Sequence, residues 1–158
     1  MSRARLYLHL AALLAPLAAA GLWGALMFGI YGGFPSTQFL LFGGIGVLSA
    51  QIAALLGWRG LDRRAREGRD AWVVGFGMAA ITHVLFGVLG DVWLIAAAGG
   101  WHEAIGSGGV TSAVIQVLFF VAMSLFALGA ITFPVTALMA HWIALTRSLN
   151  PQVQPQFP

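Results

Sequence analysis

Four long apolar runs, separated by short glycine-rich or arginine-bearing segments, fill most of this 158-residue chain. They cover residues 6–31, 38–58, 72–98 and 112–145. At about 1.5 Å per helical residue, each is long enough to cross an apolar layer of about 30 Å. The pattern predicts an all-α polytopic membrane protein in which residues 1–149 form a four-helix transmembrane bundle. Short connections make successive helices antiparallel neighbours, so the expected arrangement is two helical hairpins in sequence. Residues 150–158, Asn-Pro-Gln-Val-Gln-Pro-Gln-Phe-Pro, read as an extended Pro/Gln-rich tail that a neighbouring subunit would have to order.

Two of the runs need closer reading. The first opens with Arg3 and Arg5 and contains Ala18-Ala19-Ala20, which resembles a secretory signal and its small-residue cleavage site. Its apolar stretch continues to Tyr31, however, and that length suits a span better than the core of a signal. The fourth run would be about 50 Å long as a straight helix, well beyond the apolar layer, so it must tilt, kink or project. Pro134 is the expected kink, because it lacks an amide donor and its ring meets the carbonyl of Ala130. Thr132 and Thr136 are expected to satisfy part of the freed backbone.

Composition makes lipid the main solvent: 59% of residues are hydrophobic and 8% charged, against roughly a quarter charged in soluble domains. All eight basic residues are arginine. Arg3 and Arg5 precede the first run, Arg59, Arg63, Arg64, Arg66 and Arg69 lie between the second and third, and Arg147 follows the fourth. The other two connections carry none, so the positive-inside rule places both termini in the cytoplasm and the protein in the inner membrane. The same rule explains the basic balance without nucleic acid. Trp58, Trp72 and Trp142 toward the inner side, with Tyr31, Trp93 and Trp101 toward the outer, match interfacial aromatic belts. The chain has no cysteine, which excludes disulfides, thiolate metal sites and thiol catalysis.

Small residues recur at helical spacing. Gly75, Ala79, His83, Gly87 and Asp91 follow one another every four residues, and Gly46, Ala50 and Ala54 do the same in the second run. Such faces let helix backbones approach closely. His83 and Asp91 on that stripe are the unusual members, because ionisable groups within a membrane are costly. By depth, His83 at about 22 Å and Gln51 at about 20 Å from the outer boundary are expected to pair, as are Asp91 and Gln116 nearer that boundary. The plain role for these four is interhelical hydrogen bonding; the functional one is a polar path for protons or ions.

Other chemistry finds little support. There is no phosphate loop, zinc-protease motif or nucleophile elbow, so no catalytic residue is assigned. His102 beside Glu103 falls short of a tetrahedral metal site. His9 and His141 lie well away in depth from His83, so a haem b between two axial histidines has only the inner-side pair His9 and His141 to use. The expected function is a non-catalytic component of a larger or oligomeric membrane assembly, in contact with lipid and with other membrane subunits or copies of itself. The alternatives are a small oligomeric transporter or proton/ion conductor using Asp91 and His83, and below it a haem- or quinone-binding electron-transfer subunit.

Overall fold

The computed structural model describes residues 3–32 and 36–148; the Pro/Gln-rich tail lies outside them. Helix α1 spans Arg3–Tyr31, α2 Ser36–Arg66 and α3 Trp72–Ala97. A short helix α4, Trp101–Ile105, and a 3₁₀ turn, Gly106–Gly108, lead into α5, Gly109–Ser124. A π-helical turn, Leu125–Gly129, then joins α5 to α6, Ala130–Ser148. The chain thus has four helical units long and apolar enough to cross a membrane, with α5, the π turn and α6 forming the fourth.

Three expectations are corrected at this level. The arginine-rich connection 59–70 is helical as far as Arg66, where α2 ends, and only its last four residues turn the chain. Leu61 and Ala65 prolong the buried stripe of Ala54, and arginine is a good helix former, so nothing stops the helix before Gly68. At 31 residues α2 is about 46 Å long, so its last turns carry Arg63, Arg64 and Arg66 beyond the apolar part. The connection between α3 and α5 is also largely helical. Gly99 and Gly100, at φ of +94° and +145°, reverse the chain after α3, and α4 follows at once. Finally, the break in regular geometry of the fourth unit is not centred on Pro134. It falls at Leu125–Gly129, and Pro134 sits within the first turns of α6.

α1 packs on α2, α2 on α3, and α3 on both α5 and α6, while α6 also reaches α2 and α1. The contact of α1 with α5 is slight at most. A tight core lies at the arginine-bearing end, where Leu8, Ala54, Leu61, Met78, Ala140 and Ile143 close together. Tyr7 meets Trp142 there at 5.9 Å between ring centroids, pinning the start of α1 to α6. Most of the interior is alanine, glycine and serine, and the large apolar side chains point outward, as with Phe126 at 89% exposed. Such an inverted surface suits an apolar solvent.

The small-residue stripe is used up in this packing. A Cβ on Gly75 would lie 2.5 Å from the Ala137 Cα and 2.7 Å from the Thr136 carbonyl oxygen. One on Gly87 would meet the Val121 side chain and stand 3.0 Å from the Val117 carbonyl oxygen. A Cβ on Gly46 would stand only 3.2 Å from the Pro16 Cβ, and Ala54 and Ala79 are buried. These positions, with the half-buried Ala50, pack the protomer on itself.

Candidate functional site in the middle of the bundle

The buried polar residues organise around His83, which is 3% exposed on α3. Its Nδ1 lies 2.7 Å from Ser124 Oγ, and its Nε2 2.7 Å from Thr132 Oγ1. Phe133 stacks on the imidazole at 5.6 Å with an interplanar angle of 13°. Both ring nitrogens are therefore satisfied, and the ring plane is held by an aromatic neighbour.

The π turn makes this possible. In an unbroken α-helix, residues eight apart differ by about 80° in azimuth at 3.6 residues per turn. Widening one turn from i→i+4 to i→i+5 bonding adds about one residue to it. Ser124 and Thr132 flank Leu125–Gly129, so they stand two turns apart on nearly the same face, and both hydroxyls converge on one imidazole. The irregularity that departs from α geometry is the one that builds the site.

The two pairings expected from depth are not formed. Gln51 turns toward α1 instead: His9 Nδ1–H donates to its Oε1 at 2.8 Å, and its Nε2 donates to the His9 carbonyl at 2.9 Å. Depth alone left its azimuth undetermined, and on α2 the bundle-facing positions are taken by Ala50, Ala53 and Ala54. Gln116 Nε2 donates to the Ala104 carbonyl at 3.2 Å rather than to Asp91. Asp91 is 5% exposed, and its Oδ1 has no hydrogen-bond partner among the described residues. Between His83 and Asp91 the shared face is occupied at Gly87 by the backbone of α5. Thr132 is drawn to His83 and stands at a long 3.5 Å from the Gly129 carbonyl, so backbone repair is the lesser of its contacts.

The remaining histidines are occupied separately. His141 stacks on Trp72 at 4.7 Å, and its Nδ1 lies 3.6 Å from Asp70 Oδ1, an electrostatic contact longer than a hydrogen bond. His9 is held by Gln51, so His9 and His141 face different partners. His102 and Glu103 are exposed on α4. Among the described residues no three His, Asp or Glu side chains converge as metal ligands would.

Beside His83 lies a cavity of about 410 Å³. α1 forms one wall from Leu8 to Trp23, and α5, the π turn and α6 form the opposite one from Phe119 to Met139. His83, Ser124, Thr132, Thr82 and Thr136 supply polar atoms to a lining that is otherwise apolar. Several lining residues are exposed at its rim, namely Ala15 on α1 and Phe119, Met123, Ala127 and Val135 across from it. The opening follows from the slight contact of α1 with α5, and it lies near the middle of both helical units.

Sequence reasoning found His83 but missed Ser124 as its partner. The available signal was two hydroxyls eight residues apart in an apolar run, which share a face only if one turn is widened. Comparison of the chain with protein-family models, with curated proteins and with solved structures finds no match.

Proposed function

We propose that this chain is a non-catalytic inner-membrane protein that binds a lipid-soluble small molecule in the cavity beside His83. The observation that carries the reading is the cavity itself. Its volume falls in the range of small-molecule sites, about 300–1,000 Å³, and it has apolar walls with a few convergent polar groups. In a bilayer, with the arginine-bearing end and both termini in the cytoplasm, its opening faces hydrocarbon rather than water. A ligand would arrive from the membrane. A role inside a larger assembly is a separate proposal, since the small-residue faces that suggested it are spent on internal packing.

The test is native mass spectrometry of the protein released from mild detergent or nanodiscs. A retained apolar molecule is expected in the wild type and is lost when the cavity is filled by Ala15→Trp or Ala19→Phe. Ala15 is exposed and Ala19 half-buried, so bulk there enters the cavity without overpacking the core. Protein that carries no ligand, and takes up no apolar probe when one is offered, would refute binding.

A further inference from the structure

We infer that the cavity is built for a neutral, flat ring carrying a carbonyl and an apolar tail, the chemistry of a prenylated quinone; this rests on the cavity being a ligand site. Hydrogen-bond counting at His83 gives the first argument. A neutral imidazole has one N–H and one lone-pair nitrogen, so it donates to one of its two hydroxyl partners and accepts from the other. The hydroxyl that accepts keeps its own proton unspent. If that hydroxyl is Thr132, its outlet is the Gly129 carbonyl at a long 3.5 Å. If it is Ser124, there is no second partner among the described residues. Both hydroxyls line the cavity, so the polar centre offers a molecule there one donor, and the fitting ligand group is an acceptor such as a carbonyl.

Charge gives the second argument. Among the described residues, no arginine, aspartate or glutamate lines the cavity. A carboxylate or phosphate buried there would lack a fixed counter-charge, and an unpaired buried charge is strongly disfavoured. The ligand is therefore neutral. Shape gives the third. Toward the glycine-rich connections the lining is aromatic: Trp23 meets Phe42 edge-on at 5.9 Å, Phe42 stacks with Phe86 at 6.2 Å, and Phe120 stands opposite on α5. Rings prefer such offset neighbours at about 4.5–7 Å. Toward the arginine-bearing end the lining turns aliphatic, with Ala12, Ala53, Met78 and Met139. A planar ring against the aromatic part, its carbonyl at the hydroxyls and its chain along the aliphatic part or out through the rim, satisfies each region.

The experiment titrates decylubiquinone into the protein in nanodiscs and reads saturable quenching of tryptophan fluorescence, with Trp23→Phe identifying the signal from the cavity. Decylbenzene, which lacks the carbonyls, and palmitic acid are measured on the same wild-type protein by competition. The quinone is expected to bind at least about threefold more tightly than decylbenzene, and Ser124→Ala with Thr132→Val is expected to remove about three- to tenfold of that affinity, the worth of one hydrogen bond. Equal affinity for decylbenzene and the quinone would overturn the inference, and that comparison needs no variant to fold. Tighter binding of palmitic acid would overturn it while leaving the ligand site standing. If none of the three probes binds, the ligand-site reading falls as well.

Discussion

Small residues do opposite work on the two sides of this bundle. Between α3 and the α5–α6 unit, Gly75 and Gly87 bring backbones into contact, and no space remains for even a methyl group. Along α1, alanines 11, 15 and 19 have no helix pressed against them, and the gap before α5 and α6 is a cavity. A stripe of glycine and alanine permits close approach, but it does not compel it. What decides the outcome is whether the partner helix is held at both ends. The α5–α6 unit is fixed against α3 at Gly87, at His83, at Gly75 and in the core around Ile143, whereas α1 is pinned to α6 near Tyr7 and then diverges.

That contrast can be broken deliberately. The largest expected effect is from Gly75→Val, which forces the Ala137 backbone away and should cost about 3 kcal/mol, read as a lowered unfolding midpoint in detergent. Gly87→Ala meets the Val117 carbonyl and the Val121 side chain and should cost about 1–2 kcal/mol by the same assay. Thr132→Val leaves a buried imidazole nitrogen without its partner, an expected loss of about 1–3 kcal/mol. Gln51→Leu removes two α1–α2 hydrogen bonds, and bonds of this kind in membranes average about 0.6 kcal/mol, so about 1 kcal/mol is expected. On the open side, Ala15→Leu should change stability by less than about 0.5 kcal/mol. If Ala15→Leu proved as damaging as Gly75→Val, the two sides would not differ as described.

The four apolar helices were legible in the sequence because their length and hydropathy follow from the solvent they meet. The position of His83 along α3 was legible too, since rise per residue fixes it. Azimuth was not: Gln51 was expected level with His83 but faces α1, and rotation about a helix axis is set by packing that no single run records. The run of arginines hid the continuation of α2, although Ala54, Leu61 and Ala65 already carried its buried stripe past Arg59. The site itself depended on the π turn. Nothing local in Leu125–Gly129 announces it, and without it Ser124 and Thr132 fall on different faces.

The convergence of those two hydroxyls on one imidazole is thus the point on which the account turns. ¹⁵N NMR of the His83 ring in the wild type and in Ser124→Ala and Thr132→Val tests it most directly, since each substitution removes the hydroxyl that stands 2.7 Å from one ring nitrogen. The account predicts one neutral tautomer with both nitrogens hydrogen-bonded in the wild type, and one nitrogen released in each variant. An imidazole that already has a free nitrogen in the wild type, or whose spectrum is unchanged by either substitution, would contradict it.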